Sequence, residues 1–356
     1  MTHPPLRTPL CDLCGIDVPI VQTGMGWVAG PRLVSATANA GALGILAAAT
    51  MDMEQLEAAI AETRERTDRP FGVNIRSDAP DAGDRIRLLI REEVKVASFA
   101  LAPRQELIDE LQGAGVVVMP TVGARRHAEK VASWGVDALI VQGGEGGGHT
   151  GEVPTSLLLP QVVDVVDVPV VAAGGFFDGR GLVAALAYGA AGIAMGTRFL
   201  LTAEAPVPDD VKQVYLAKAV TDTLRTTQVD GVPHRVLRTD FTERLNQAST
   251  ATSLPRAVRN ALRFKRISGD SWRSILREGR AMRRSQELTW SQVVMAANTP
   301  MLLKAAMVDG RPDLGVMSSG QVVGVIDDLP TVGELVDRIV REAEATLRRL
   351  SPGDDA

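Results

Sequence analysis

Between residues 19 and 200, short unbroken apolar runs alternate with longer stretches in which apolar positions recur every three or four residues. The runs are PIVQ (19–22), ALGIL (42–46), FGVNI (71–75), VKVASFA (94–100), GVVVMPTV (115–122), ALIVQG (138–143), PVVAAGG (169–175) and GIAMGTRFL (192–200). A continuous run, rather than a strict alternation, marks a strand covered on both faces, as in a parallel sheet. The segments between, such as MDMEQLEAAIAETRER and RRHAEKVASWG, have helical period. Eight such units predict an α/β protein built as a (β/α)8 TIM barrel. A doubly wound sheet is the rival, with fewer strands expected, and no repeat of fixed solenoid length is visible.

The rhythm then breaks. Residues 222–308 lose the strand pattern and read as helical, and SSGQVVGVIDDLPTVGELVDRIVREAEATLRRL reads as a loop, a short turn and a long helix. The expected organisation is a barrel from 1–221 and 309–356, interrupted after strand eight by a helical insertion over 222–308. The tail SPGDDA is expected to fray.

Composition narrows the partners. The 356 residues suffice for a large buried core, and a net charge of −5 gives no global reason to bind nucleic acid or membrane. No apolar run reaches the ~18–20 residues of a span. MTHPPLRTPL lacks the apolar stretch of a signal peptide, so a cytoplasmic protein is expected. Cys11 and Cys14, the only cysteines, form a C-x-x-C pair. No second pair or nearby histidine completes a zinc site, and the pair precedes the first strand instead of opening a helix after one. Two ordinary thiols are therefore expected.

Barrel chemistry gathers at the C-terminal ends of the strands. Strand one ends in Gln22 and runs into TGMG; strand three ends near Asn74; strand six ends in Gln142 and the segment VQGGEGGGHTG. Strand seven ends in Ala173, Gly174 and Gly175, and strand eight carries Met195, Gly196 and Thr197. Glycines here let a ligand approach the backbone, and N–H groups after strands seven and eight suit a phosphate. Asn74 and Gln142 both donate and accept hydrogen bonds, as a heterocycle with carbonyl and N–H edges requires. Gly146, Gly148 and Gly151 spell G-x-G-x-x-G, but after strand six, with Pro154 close behind and no acidic residue at the needed spacing. A dinucleotide fingerprint is not the reading taken. No G-K-[ST] follows any glycine loop.

His149 stands in the glycine-rich loop at the mouth of this site, and its ring exchanges a proton near neutrality. It is the expected catalytic residue, presented by a loop with little side-chain bulk. His127 sits among arginines on a helical stretch, His3 in the N-terminal segment, and His234, in GVPHRVLRT, is a weaker candidate for lining the cleft.

At these residues the chain resembles the nitronate monooxygenase (2-nitropropane dioxygenase) family of FMN-dependent barrels, which includes the flavin-type enoyl-ACP reductases. The resemblance covers nearly the whole chain and is carried by PIVQTGMGWVAGPRLVSATANAGALGIL, FGVN, VQGGEGGGHTG, PVVAAGGFFDGRG, AMGTRFL and SSGQ. It implies FMN contacts at Gly24, Met25, Asn74, Gln142, Gly147, Gly175, Ala194, Met195, Gly196, Thr197 and Gln321, and a catalytic role for His149. Gly174 joins the cofactor contacts from its place at the end of strand seven. Within the family, VQGGEGGGHTGEVPTSLLLP, FFDGRG and FTERL…TWSQVVMAANTPMLL look closest to an actinobacterial branch of steroid catabolism. That likeness implies a reductase or dehydrogenase of a bicyclic hexahydroindene-carboxyl-CoA thioester, with NAD(P)H as electron partner.

One local feature bears on that branch. Residues 255–285 carry ten Lys/Arg against Asp270 and Glu278, a net +8 in an acidic chain. A basic cap including Arg263, Lys265, Arg266 and Arg273, with His234 at the cleft, would suit the phosphates of CoA, since guanidinium forks pair with phosphate. A solvated face, or a surface for nucleic acid or membrane, are the other readings of this segment. Three functions are thus carried forward: an FMN-dependent CoA-thioester reductase or dehydrogenase, a nitronate monooxygenase, and a non-catalytic flavin-binding sensor. An apolar face of the insertion is a candidate homodimer contact.

Overall fold

The computed structural model describes residues 6–100, 103–247 and 298–351. All eight expected strands are present: β1 Ile20–Gln22, β2 Leu43–Ala47, β3 Gly72–Ile75, β4 Val96–Phe99, β5 Val117–Val122, β6 Leu139–Gln142, then, after a two-residue strand β7 Gly148–His149, β8 Val170–Ala173 and β9 Gly192–Met195. They close in the order β1-β2-β3-β4-β5-β6-β8-β9, every pairing parallel, with β9 returning to β1 through Ile20 opposite Ile193 and Gln22 opposite Met195. The molecule is a TIM barrel.

The unbroken apolar runs hide a period of two. Val21, Ile45, Val96, Met119, Ile140, Val171 and Ala194 form one buried cluster, which fills the barrel. Their neighbours Ile20, Leu46, Ala97, Val118, Leu139, Ala172 and Ile193 belong to a second cluster with the surrounding helices. Both faces are thus dry, which is why polar residues are scarce in the runs and fall mainly near their ends. Helix Pro9–Cys14 joins the inner cluster through Leu10, Cys11 and Cys14. The two thiols are fully buried and unpaired, and burial pushes the Cys14 thiol up to about 12. The C-x-x-C pair is part of the barrel plug.

Helices follow the strands on the outside. Glycine is required where they approach most closely: a Cβ at Gly44 in β2 would lie 2.4 Å from the Val34 carbonyl oxygen of helix Pro31–Asn39. The terminal helix Val332–Leu350 starts at a capping box, Thr331 with Glu334, and packs between helices Gly179–Ala187 and Pro31–Asn39. It therefore takes a place in the outer ring of helices. No described helix is long and apolar enough to cross a membrane.

The region after β9, the eighth strand of the barrel, departs from expectation. Of 222–308, the described part ends in helices Asp240–Gln247 and Asn298–Met307 but opens with a hairpin, β10 Thr223–Thr226 and β11 His234–Leu237. The hairpin was hidden because its strands, TLRT and HRVL, are short and arginine-bearing. Its third strand, β7, lies far away in sequence, in the glycine-rich loop. Residues 248–297, including the basic run, lie outside the described residues.

Candidate active site

The cleft opens over the C-terminal ends of the barrel strands and has a volume of about 340 Å³. Gly24, Met25, Asn74, Gln142, Gly147, Gly174, Gly175, Ala194, Met195, Gly196 and Thr197 all line it. They converge because each sits at or just beyond the end of a parallel strand. Gln321 does not line it, although Gly320 and Val322 beside it do. Instead the Gln321 backbone N–H donates to the Glu145 carbonyl oxygen at 2.9 Å and ties the SSGQ segment to the glycine loop.

Much of the wall is backbone. A Cβ at Gly147 would meet Gly320 N and Ser319 C at 2.6 Å, and one at Gly146 would meet the Gln142 amide at 2.7 Å. Gly174 and Gly175 hold φ of 101° and 85°, a left-handed turn that only glycine adopts freely. Asn74 donates to Ser98 Oγ at 3.2 Å. The Gln142 amide donates to the His149 carbonyl oxygen at 2.8 Å and so braces the loop that carries the histidine.

The hairpin holds that loop from the other side. His234 pairs with His149 and Arg235 with Gly148 in the β11–β7 register. The Arg235 guanidinium donates to the Gly144 carbonyl oxygen at 2.8 and 3.1 Å and to Thr223 Oγ1 at 3.0 Å. Val236 bridges to Ser318, which brings the third segment of the mouth into place.

The turn of the hairpin supplies Asp230. Its Oδ2 lies 2.7 Å from His149 Nε2 and 2.9 Å from Thr299 Oγ1, while Oδ1 accepts from the Val232 backbone N–H at 3.2 Å. His234 Nδ1 is 3.7 Å from the same Oδ2, and His234 Nε2 is 2.8 Å from Ser318 Oγ. The two imidazole rings stand 4.7 Å apart. Asp230 and His234 are buried, whereas 58% of the His149 side-chain surface faces the open cleft.

Charge follows from this geometry. Burial penalises the Asp230 carboxylate, but the hydrogen bond and charge of His149, with His234 alongside, outweigh it and hold the group far below the ordinary carboxylate range. Burial also works against protonating His149; the hydrogen bond and charge of Asp230 prevail and raise its pKa above the ordinary histidine value. For His234 burial prevails and the pKa falls. An ionised carboxylate thus serves one histidine that readily holds a proton and one that does not.

Sequence reasoning placed His149 and His234 in the cleft region but missed Asp230, Thr299 and Ser318. For Asp230 a signal was there: Asp230-Gly231, with Gly231 at φ 87°, lies between two β-prone segments, which is a hairpin-turn signature. Arg263, Lys265, Arg266 and Arg273 lie outside the described residues.

A closed parallel barrel with a histidine–carboxylate cluster over its C-terminal mouth has the form of a barrel enzyme. The chain belongs to the nitronate monooxygenase family of oxidoreductases, whose model matches residues 7–87 and 84–342. It is 62% identical over 349 residues to a (3aS,4S,5R,7aS)-5-hydroxy-7a-methyl-1-oxo-octahydro-1H-indene-4-carboxyl-CoA dehydrogenase of Mycobacterium tuberculosis, covering 97% of this chain and 98% of that one. It is 63% identical over 338 residues to the like-named enzyme of Rhodococcus jostii, covering 95% and 96%. Among solved structures it is similar to FabK from Thermotoga maritima, with a TM-score of 0.79 and 34% identity over 97% of this chain and 98% of that one.

Proposed function

We propose that this protein is an FMN-dependent dehydrogenase of a saturated bicyclic hydroindene-carboxyl-CoA thioester. The observation that carries the reading is the His149–Asp230 pair over the cleft, in a chain so like two dehydrogenases of that substrate class. The cleft suits a flavin: its floor is glycine backbone, and the Asn74 and Gln142 amides stand at its edge. Gly24, Met25, Asn74, Gln142 and Gly147 would face the ring system, and Gly174, Gly175 and Ala194–Thr197 the phosphate. Bound there, FMN supplies a two-electron acceptor for the hydride that leaves the carbon β to the thioester.

The protein's own part is the proton. The hydrogen α to a thioester is acidic, and its removal with the β hydride leaves a carbon–carbon double bond. With Nε2–H of His149 donating to Asp230, Nδ1 carries the lone pair that takes this proton. Asp230 then stabilises the imidazolium. Leu200, Leu303, Met307 and Val322 give the cleft apolar walls for an alicyclic ring. The basic run 255–285 is the proposed contact for the CoA phosphates, and NAD(P)H or its oxidised form the proposed electron partner.

The test is an anaerobic titration that follows the visible flavin band. The saturated hydroindene thioester is expected to bleach it. Bleaching by an alkyl nitronate alone would make the protein a nitronate monooxygenase, and absence of a flavin band even after FMN is added would overturn the reading. His149→Ala is expected to lower turnover by about 10²–10⁴-fold with FMN retained.

A further inference from the structure

His234 has no part in the proton transfer just described, and its setting is unusual. It is 2% exposed, and its Nδ1 is a buried nitrogen with no hydrogen-bond partner among the described residues. That nitrogen faces the Asp230 carboxylate at 3.7 Å, too far for a hydrogen bond. Its other nitrogen is occupied by Ser318 Oγ, and Ser318 is itself held by the Tyr215 hydroxyl, which donates to the Ser318 carbonyl oxygen at 2.9 Å. With the proton on Nε2 and Ser318 Oγ accepting, the buried Nδ1 offers its lone pair to a cation shared with the Asp230 carboxylate.

We propose that His149, Asp230 and His234 form a divalent transition-metal site at the mouth of the barrel, selective for zinc-like ions and inhibitory when filled. The ligand atoms of the three residues lie within 4.8 Å of one another. Zinc at 2.0–2.2 Å from nitrogen and oxygen ligands sets tetrahedral ligand atoms roughly 3.3 Å apart. The 2.7 Å and 3.7 Å separations from Asp230 Oδ2 straddle that spacing, so small side-chain movements suffice. Two imidazoles and one carboxylate are a ligand set for zinc or another late first-row ion, not for calcium or magnesium. The surrounding contacts are those of a metal site. Ser318 orients His234 through its far nitrogen, and Thr299 and the Val232 N–H orient Asp230. His149 faces the cleft and leaves the fourth position to water. An ion there occupies Nε2 of His149 and replaces its bond to Asp230, so the ring no longer serves as a base.

The site is independent of the reaction, so ion binding itself is its test. Chelator-treated, FMN-loaded protein is titrated with zinc by calorimetry. Cobalt serves as a second probe, through the long-wavelength absorption of a four-coordinate ion beyond the flavin band. One ion per chain is expected. His234→Ala and Asp230→Asn should each abolish binding, Ser318→Ala should weaken it about 10–100-fold, and His127→Ala, on an exposed helix, should leave it unchanged. His149→Ala, whose ring lies open to the cleft, provides a variant in which buried packing is untouched, and it too should lose the ion. Absence of stoichiometric binding by the parent protein, or retention of the ion in either His149→Ala or His234→Ala, overturns the proposal.

Discussion

The barrel wall and the hairpin at its mouth are built on opposite principles. The wall draws its stability from dry, repetitive packing: alternate residues along the strands fill an inner and an outer core, and any one strand is stable because its neighbours are. The hairpin has four-residue strands and a small core of Leu224, Val229, Val236, Leu245, Leu302 and Val316. It is held by hydrogen bonds to segments far away in sequence, through Arg235 to Gly144 and through Val236 to Ser318. The wall supplies a floor of glycines and amides. The hairpin supplies Asp230 and His234 and fixes His149. Scaffold and proposed proton chemistry are thus divided between a region of extensive dry packing and one with a small core.

That division can be broken from either side. The largest effect is expected at the mouth. Asp230→Asn removes the charge that supports the His149 imidazolium, and turnover should fall by about 10²–10⁴-fold, far out of proportion to the fall in thermal midpoint that loss of a buried, partnered carboxylate brings. Steady-state rates with the CoA thioester, set beside a melting curve, check both halves. In the wall the pattern should invert. Leu46→Ala empties a fully buried position between strand and helix, at a cost of about 2–5 kcal/mol in urea unfolding, with little change in the rate per folded molecule.

Arg235→Ala should fall between these. It deletes three hydrogen bonds from a charged donor, of which each such bond contributes about 1.5–3 kcal/mol. Because the Gly144 carbonyl oxygen can be rehydrated at the mouth, the global unfolding midpoint should drop only modestly. Hydrogen exchange at residues 144–149 should rise well before that of the barrel strands. The smallest effect is expected at the plug: Cys11 and Cys14 should resist alkylation in the native protein at mildly alkaline pH. Burial holds the Cys14 thiol near 12, so thiolate is scarce until the barrel unfolds. Rapid native-state labelling would contradict the plug.

The contrast also explains what could be read in advance. Asn74, Gln142, Gly174, Gly175 and Gly196 were legible because a strand declares itself by its apolar run, and in a parallel barrel every strand end is at the same face. His149 was legible because it closes a glycine loop at such an end. Thr299 and Ser318 carry no local signal. Thr299 is a helix residue and Ser318 a loop residue, and each matters only through Asp230 or His234, which lie about seventy to ninety positions away. The turn Asp230-Gly231 was readable as a hairpin, but its partner strand in the glycine loop was not.

By itself, then, the sequence determined the barrel, its strand order, the glycine-lined floor and the histidine that overlooks it, because these follow from local periodicity and from the right-handed parallel connection of successive units. Tertiary structure alone decided that Asp230 grips Nε2 of His149, that His234 stands behind it with a buried nitrogen facing the same carboxylate, and that the two cysteines are core. Those outcomes depend on antiparallel pairing between segments distant in the chain and on burial. Neither burial nor distant pairing leaves a period in the sequence, and both set which groups hold a proton.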